Sequence, residues 1–435
     1  MRKIHEAGRD IPVMAETDVL VVGSGPAGIA AAVAAARTGA KTLLAERYGC
    51  FGGALSIGQV ESYNWYFTPH TYYAYGLSSE IEQRMIEMKG TQPDSRGIGH
   101  FFNAEIYKLM LDRWIEEESI TPLLHSLAVG TVKEGNEVRG VIFESKSGRA
   151  AVMAKCVVDA TGDGDVASLA GAGYHIGNKE PYDVLPVTMV FGVGGVDVEM
   201  FTRYVEAHKE MTEPETHGLK KVFKMAQQAG KWPYSREGGA WKTLTPSGDF
   251  TSLNITREFG VNGVDVWDLT RAEISGRRQA MEAIEAMREF GSEMGLAHCY
   301  LRSFAFQIGI RETRRINCEY NVTRRDVMEN GRFSDSIGVF TRFIDGEVIS
   351  RDDSHFELPY RMIVPVGIDN LLVSGRCAGC ESDAVQTVRM MVCCTATGQA
   401  AGTAAALAAM KGMHPREIGV ERIQAELVKN NVRLS

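Results

Sequence analysis

The glycine spacing Gly-x-Gly-x-x-Gly at residues 23–28 constrains the fold of this chain more than any other feature. It follows directly on the short β-branched run at residues 18–22. The alanine-rich segment 29–38 then predicts a helix, and residues 41–45 predict a second buried strand. Such a turn lets the backbone approach a pyrophosphate, and the helix after it points N–H groups at the phosphate charge. The four pieces together predict a parallel α/β domain that binds a dinucleotide.

The second predicted strand ends in an acid, Glu46, about 20 residues beyond the last glycine of the turn. An acidic side chain at this place accepts hydrogen bonds from ribose hydroxyls. It also disfavours NADP, whose 2′-phosphate needs an arginine, although Arg47 is adjacent. The pair Gly52 and Gly53 comes next and predicts a loop that passes close to the dinucleotide.

Two later apolar strands also run into glycine turns. One lies at residues 157–165 and the other at residues 370–376, and a helix of small residues is predicted from Ala384 to Met410. Because the three strand-to-glycine junctions surround one fingerprint, they suggest one extended ligand that crosses several strand ends. No second fingerprint with the right spacing follows, so a separate NAD(P)H site is not expected.

The composition bounds the class of protein. A chain of 435 residues, 44% hydrophobic and 23% charged, suits a globular protein of two or three domains. There are 47 Lys and Arg against 55 Asp and Glu, and the resulting net charge of −8 disfavours nucleic acid as a partner. The eight cysteines, in a chain without an export signal, are expected to be reduced thiols that hold neither disulfides nor a metal.

No membrane segment is expected. The residues before Thr17 lack the apolar run of an export signal or an anchor, which favours a cytoplasmic protein without a membrane partner. The uncharged run from Met390 to Met410 has roughly the length of a membrane span, but it is rich in Ala, Gly and Thr. It therefore predicts a buried helix.

The order of these motifs resembles that of the FAD-dependent oxidoreductase family, within the glutathione-reductase-like flavoprotein superfamily. The shared segments are the fingerprint, the Asp-Ala-Thr-Gly-Asp-Gly-Asp run at 159–165, Arg-Glu-Thr-Arg-Arg at 311–315, residues 370–377, and Gly-Gln-Ala-Ala-Gly at 398–402. The resemblance extends from Thr17 to about Met410. In one departure, Ser382 and Asp383 stand where relatives commonly have a His-Glu pair.

The resemblance implies noncovalently bound FAD and a Rossmann-like FAD-binding domain of the glutathione-reductase type. That domain is expected to be discontinuous, at residues 1–60, 100–175 and 356–435, with an inserted α+β substrate-binding domain or cap at residues 61–99 and 176–355. The implied FAD contacts are Gly23, Gly25, Pro26, Ala27, Gly28, Glu46, Arg47, Gly53, Ala54, Val129, Ala160, Gly162, Asp163, Gly375, Arg376 and Met391. A helix that begins near residues 388–391 is expected to direct its N–H groups at the pyrimidine side of the flavin, where negative charge develops on reduction.

An aromatic cluster between residues 63 and 75 is the strongest candidate for the substrate pocket. It contains Tyr63 and Trp65, which are predicted to contact substrate, and it includes His70. Such a cluster lines a flat apolar pocket, or it forms an aromatic packing or homo-oligomer interface. The sequence leaves both readings open.

Flavin-dependent oxidation of a C–H bond needs a base for the partner proton or a group that orients the anion. His70, His355 and Tyr360 are the candidates for this role. Arg311 and Arg361 are candidates for binding a substrate carboxylate. The alternative for the Arg311 segment is internal pairing of Glu312 with a neighbouring arginine.

These observations predict an FAD-dependent dehydrogenase or reductase. Hydride would pass between a small organic substrate and N5 of the flavin, and the electrons would leave to an acceptor that the sequence does not identify. The alternative is a flavin electron-transfer subunit that passes electrons between protein partners. The sequence identifies neither the substrate, nor the bond that is oxidised or reduced, nor the direction of electron flow.

Overall fold

The structure is a computed structural model that describes residues 2–5, 8–63, 74–93, 100–178, 183–208, 219–235, 240–344, 348–349 and 354–435. Trp65 and His70 lie outside the described residues, so their roles stay predictions. The helices are α1 (Pro26–Arg37), α2 (Gly76–Glu87), α3 (Ala104–Glu117), α4 (Asp165–Ala170), α5 (Val198–Ala207), α6 (Leu219–Gln228), α7 (Val266–Phe290), α8 (Arg324–Met328), α9 (Val385–Val388), α10 (Met391–Lys411) and α11 (Val420–Lys429).

The strands are β1 (Val13–Val22), β2 (Thr42–Ala45), β3 (Ser62–Tyr63), β4 (Thr91–Pro93), β5 (His100–Phe102), β6 (Thr121–Leu123), β7 (Leu127–Glu134), β8 (Glu137–Ser145), β9 (Gly148–Asp159), β10 (Tyr174–His175), β11 (Phe191–Gly194), β12 (Ala240–Trp241), β13 (Phe250–Asn254), β14 (Tyr300–Phe304), β15 (Arg315–Ile316), β16 (Ser336–Thr341), β17 (Phe343–Ile344), β18 (Val348–Ile349), β19 (His355–Pro359) and β20 (Leu371–Val373).

The largest sheet of the described residues has seven strands, of which β6, β2, β1, β9 and β20 run parallel. The antiparallel hairpin β7–β8 joins the amino half of β9, and β20 joins its carboxyl half. Val19 and Val21 pack among residues of α1 and α10, whereas Leu20 and Val22 pack with residues of α4 and β8, because successive side chains point to opposite faces. This buried parallel sheet confirms the predicted α/β fold and is consistent with a Rossmann-like FAD-binding domain.

Helices α1 and α10 touch backbone to backbone on one face of this sheet. A Cβ on Gly398 would stand 2.0 Å from the carbonyl oxygen of Ala27, and a Cβ on Gly402 would stand 2.0 Å from that of Ala31. The run of small residues in α10 is therefore explained by a close helix contact, as the buried-helix interpretation predicted. Among the described helices, none is both long and apolar enough to cross a membrane.

A second sheet is antiparallel, in the order β12-β13-β11-β14. Helices α5, α6 and α7 pack on one of its faces through side chains such as Phe201, Phe223 and Ile284, which surround Phe250 of β13. All four strands come between β9 and β20 in the chain, so this sheet is an insertion into the parallel one. The domain boundaries given above remain a prediction.

Candidate active site

The glycine turn after β1 leaves no room for side chains at two of its positions. Gly23 has a φ of +94°, and its N–H donates to the carbonyl of Ala45 over 2.8 Å. A Cβ on Gly23 would stand 2.5 Å from the carbonyl oxygen of Ala160. A Cβ on Gly28 would stand 1.8 Å from the carbonyl oxygen of Gly23. Glycine is therefore required for the shape of the turn itself.

Gly25 differs from these two, because a Cβ on it would meet no atom within 4 Å. It is the N-cap of α1, which begins at Pro26, and within the described chain no side chain caps this helix end. Gly53 crosses above it with a φ of +55°, and Ala54 beside it is exposed. An open helix N-terminus framed by two glycines fits a pyrophosphate group.

Glu46 is buried at the end of β2 and is already fixed by the turn. Its Oε2 accepts from the N–H of Ser24 over 2.8 Å and from the Oγ of Ser24 over 2.7 Å. Its Oε1 accepts from the N–H of Tyr48 over 3.1 Å. The carboxylate thus connects the fingerprint to the strand that follows it, and its contact with a ribose stays a prediction.

Two further residues assigned to FAD lie beside this region. Arg47 donates from Nη2 to Gln307 over 3.2 Å, and its guanidinium lies 4.8 Å from the centre of the Tyr48 ring. Val129 lies at a bulge of β7, since the pairing of β7 with β8 shifts on either side of it. Its peptide is therefore placed outside the regular ladder, where a backbone group is available to a ligand.

An ion pair joins the turn after β9 to the turn after β20. Arg376 donates to Asp163 and to Thr313, each over 2.8 Å, and the Thr313 hydroxyl donates to Asp163 over 2.8 Å. A Cβ on Gly162 would stand 3.0 Å from the Arg376 guanidinium. Burial alone would raise the pKa of Asp163, but the charges of Arg376 and Arg47 and these hydrogen bonds hold it below its ordinary value.

Three segments distant in sequence meet at Gly375. Its φ is +78°, its N–H donates to the Thr397 hydroxyl over 3.0 Å, and a Cβ on it would stand 2.9 Å from the Cβ of Ala27. Helix α10 begins at Met391, as predicted, and its N-cap Met390 makes no side-chain capping bond. The structure therefore brings the turn after β20 against both α1 and α10, and the contacts of the predicted residues with FAD stay a prediction.

Tyr360, a predicted catalytic residue, is enclosed in the protein at some distance from the glycine turns, and its catalytic role stays a prediction. The side chain is buried, and its hydroxyl donates to the carbonyl of Pro415 over 3.0 Å. The neighbouring His414 bonds to Asn370, which precedes β20. Tyr360 thus lies toward the amino end of β20, whereas the glycine turns lie at the carboxyl ends of the parallel strands. The motif spacing did not reveal this difference.

Arg361 lies in the same region, and its predicted contact with substrate stays a prediction. Its Nε lies 2.9 Å from Asp335 in an ion pair, and its guanidinium lies over the ring of Tyr320. His355 is buried at the start of β19, 3.3 Å from the Arg433 guanidinium. The catalytic role of His355 stays a prediction.

Tyr63 has no exposed surface in this structure, and its predicted contact with substrate stays a prediction. Its ring stacks on Phe102 at a centroid distance of 5.0 Å, and its hydroxyl lies 3.0 Å from that of Thr395. The described start of the aromatic cluster thus packs into the core. Burial also raises the pKa of Tyr63, so its hydroxyl stays protonated.

Arg311 and Arg257 converge on the same two polar side chains. Both donate to the Thr188 hydroxyl over 2.7 Å, and both also donate to the side-chain oxygen of Asn254. Binding of a substrate carboxylate by Arg311 stays a prediction. The internal pairing foreseen for Glu312 is confirmed, because its Oε1 lies 3.4 Å from the Nε of Arg315.

The eight cysteines are free thiols, as expected, and seven of them are buried. Burial raises the pKa of Cys380 to about 12 and raises that of Cys377 well above its ordinary value. Both thiols are therefore protonated at neutral pH and are poor nucleophiles. The absence of a metal remains a prediction.

Sequence reasoning missed Glu61, a buried carboxyl beyond the Gly53 loop. Its Oε2 accepts from the Thr251 hydroxyl of β13 over 2.5 Å. Burial raises its pKa to about 7, against the lowering effects of Thr251, Arg302 and Lys242. The sequence feature that could have revealed Glu61 is an acidic residue directly after the apolar Val60, in the segment that follows Gly52 and Gly53.

The match of the sequence to a protein-family model identifies the family of this chain. A family model described as FAD dependent oxidoreductase matches residues 18–427, almost the whole chain. The chain belongs to the FAD-dependent oxidoreductase family. This oxidoreductase accordingly uses FAD as its cofactor, and the open N-terminus of α1 under Gly53 fits the pyrophosphate of FAD. Membership of a family of redox enzymes does not favour the alternative of an electron-transfer subunit.

Part of this chain is similar in sequence to a curated reductase, and the chain also aligns with solved structures at low sequence identity. The digeranylgeranylglycerophospholipid reductase of Picrophilus torridus is 30% identical over 157 residues, 33% of this chain and 39% of that protein. A geranylgeranyl bacteriochlorophyll reductase-like protein of Thermoplasma acidophilum aligns with 95% of this chain and 83% of its own, with 15% identity and a TM-score of 0.46. The structure of p-nitrophenol 4-monooxygenase of Pseudomonas putida aligns with 95% of this chain and 84% of its own, with 10% identity and a TM-score of 0.49.

Proposed function

We propose that this oxidoreductase transfers hydride between a small organic substrate and N5 of FAD, with the substrate held against the four-stranded sheet. The main observation in support of the proposal is that residues 57–61 form hydrogen bonds with the inserted sheet and the residues that follow it. The carbonyl of Ile57 accepts from the N–H of Phe306 over 3.0 Å, and the carbonyl of Gln59 accepts from the Ser252 hydroxyl over 2.9 Å. The loop that passes the dinucleotide turn is thus bonded directly to the inserted sheet.

The N-terminus of α10 supports a redox role for the same region. When bound, FAD supplies a ring that accepts or gives a hydride at N5. The first N–H groups of a helix have no partner within the helix, and they stabilise negative charge nearby. The first turn of α10 lies beside Gly375, so these N–H groups would favour the reduced, more negative state of a flavin ring bound there.

The proposal includes the arrangement of the domains. The parallel strands with the β7–β8 hairpin correspond to an FAD-binding domain of the glutathione-reductase type, at residues 1–60, 100–175 and 356–435. Residues 61–99 and 176–355 would form the substrate-binding cap. The proposal further includes a cytoplasmic location, a small-molecule substrate and a separate electron acceptor. It also includes a homo-oligomer interface formed by the aromatic cluster.

Anaerobic reduction tests the proposed function. Purified protein is loaded with FAD and mixed with fractions of a metabolite extract, and the flavin absorbance is followed. Bleaching by one fraction, with equal amounts of substrate oxidised and flavin reduced, supports hydride transfer from a small molecule. Failure of FAD-loaded protein to bleach with any fraction, together with bleaching by a reduced protein fraction, would overturn the proposal in favour of electron transfer between proteins.

A further inference from the structure

Glu61 lies where the loop after Gly53 meets the inserted four-stranded sheet. Its carbonyl accepts from the N–H of Phe102 over 2.9 Å, which fixes its backbone to β5. Its side chain points to β13, where the Thr251 hydroxyl donates to it over 2.5 Å. The residue is only 6% exposed. The carboxyl of Glu61 thus connects the segment that follows the dinucleotide turn with the sheet that is proposed to hold substrate.

Polar atoms without partners flank this carboxyl along the chain. Among the described residues, the buried Oε1 of Gln59 and the buried Oγ of Ser62 make no hydrogen bond within the protein. The Oγ of Ser303, on β14 of the inserted sheet, is likewise buried without one. Burying a polar group unpaired costs about 1–3 kcal/mol, so such atoms gather where a polar ligand supplies the missing bonds.

The charges around Glu61 leave its carboxyl free to take up or release a proton. The cations that face it are Lys242, beside β12, and Arg302, on β14. Arg302 lies 3.8 Å from Asp249 in an ion pair, and the Lys242 ammonium lies 5.4 Å from the centre of the Phe101 ring.

The histidine at the start of β5 contacts a carboxylate other than Glu61. There, His100 is 3.0 Å from Glu82. Burial raises the pKa of Glu61 to about 7, so at neutral pH both of its protonation states are populated.

We propose that Glu61 is the acid–base group of the redox reaction, which rests on the function proposed above. When a substrate C–H bond breaks and its electron pair leaves with the hydrogen as hydride to the flavin, Glu61 takes the proton from the adjacent O–H, N–H or C–H group. The electrons of that bond then form the new C=O, C=N or C=C bond. In the reductive direction Glu61 returns the proton. Thr251 positions the carboxyl and stabilises its anion.

The first test measures the ionisation of Glu61 without any substrate. Protein with isotope-labelled glutamate is titrated from about pH 5 to about pH 9 and followed by infrared difference spectroscopy of the carboxyl C=O band. We expect a protonated carboxyl that ionises near neutral pH and is absent in Glu61→Gln. Glu82→Gln, which alters another buried carboxyl, is the matched control and retains the band. A Glu61→Gln spectrum identical to that of the wild type overturns the proposal.

The second test follows the flavin midpoint potential against pH. If Glu61 lies beside the flavin as proposed, reduction of the flavin would raise the pKa of Glu61, and the wild-type potential would fall more steeply with pH around neutrality than that of Glu61→Gln. Thr251→Val removes a hydrogen bond to the anion and should move this steeper region to higher pH, whereas Thr251→Ser should not. Equal slopes in the wild type and Glu61→Gln, both with FAD bound, contradict the proposal.

With a bleaching substrate identified by the screen above, Glu61→Gln should slow flavin reduction by about 10²- to 10⁴-fold and remove the ionisation near neutral pH from its rate profile. FAD affinity should not change. If the wild type bleaches and Glu61→Gln bleaches equally fast, only the role of Glu61 is wrong. If FAD-loaded wild type bleaches with no metabolite fraction, the proposed function fails, and the role of Glu61 fails with it.

Discussion

At the scale of single residues, the glycines of the fingerprint have separable roles. Gly28 is needed for the fold, since its Cβ would stand 1.8 Å from a carbonyl oxygen, whereas a Cβ on Gly25 meets nothing within 4 Å in the protein. The motif treats them alike, but the structure predicts different consequences of the same substitution.

Gly25→Ala should leave the stability of the apoprotein within about 0.5 kcal/mol of wild type and weaken FAD binding at least tenfold, because the methyl group projects into the space of the pyrophosphate. Gly28→Ala should instead destabilise the apoprotein by about 1–3 kcal/mol. Chemical denaturation of apoprotein and fluorescence titration with FAD distinguish the two. Equal losses of stability in both variants would show that Gly25 is also a structural glycine.

Asp163→Asn should cost the apoprotein about 3 kcal/mol, because it leaves the Arg376 guanidinium in a largely buried place without its carboxylate. The pKa of Asp163 is lowered in the folded protein, so its contribution is present above the unfolded value of 3.8 and is lost as pH falls through the lower folded value.

Denaturation curves at neutral and acidic pH check this. The difference between Asp163→Asn and wild type should shrink at the acidic end, and Asp165→Asn, beside it in the same turn, serves as the control. A difference that is constant with pH would mean that the charge of Asp163 is not the source of its effect.

At the scale of elements, the contact of α1 with α10 sets the position of two helix ends at once. Gly398→Ala and Gly402→Ala should each destabilise the protein by about 1–3 kcal/mol in spite of the better helix propensity of alanine, because the methyl group meets a backbone carbonyl.

Gly398→Ala should in addition weaken FAD binding, since Ala27 lies in the first turn of α1. Met410→Ala, at the exposed end of α10, is the control and should change neither property. Thermal unfolding and FAD titration measure both. Unchanged FAD affinity in a destabilised Gly398→Ala would confine the contact to a packing role.

The elements of the parallel sheet were predictable from sequence because their signals are local. The run at 18–22, the turn and residues 41–45 correspond to the carboxyl half of β1, the start of α1 and β2. The helix predicted from Ala384 is divided, with α9 and α10 separated at Arg389 and Met390. Local apolar periodicity does not record such a break, which depends on the strands packed against it.

The surroundings of the candidate catalytic and substrate residues were less predictable because they depend on contacts between distant segments. Spacing cannot show that Tyr360 lies toward the amino end of β20 or that Tyr63 points into the core. Glu61 was missed for the same reason, since its significance comes from Thr251, which lies on a strand of the inserted sheet. The pairing of Glu312 with one arginine of the 311–315 segment was foreseen, because neighbours in sequence suffice for that pairing.

At the scale of the whole molecule, the proposed FAD site combines the turns after β1, β9 and β20 with the start of α10. A ligand that binds only the folded state stabilises it by about 2.7 kcal/mol at a hundredfold excess over its Kd. We therefore expect the melting temperature to rise with FAD concentration in wild type and much less in Gly25→Ala. A rise of the same size in both proteins would place FAD away from the fingerprint.

The glycine contact between α1 and α10 also bears on the order in which this chain is made. During synthesis α1 emerges early, with an alanine face shaped for a helix that follows only after the whole inserted sheet has been translated. Until then that face has no partner, and the cofactor cannot be enclosed. A chain that ends before Met391 is therefore expected to bind FAD weakly, because the helix that packs on α1 would be missing.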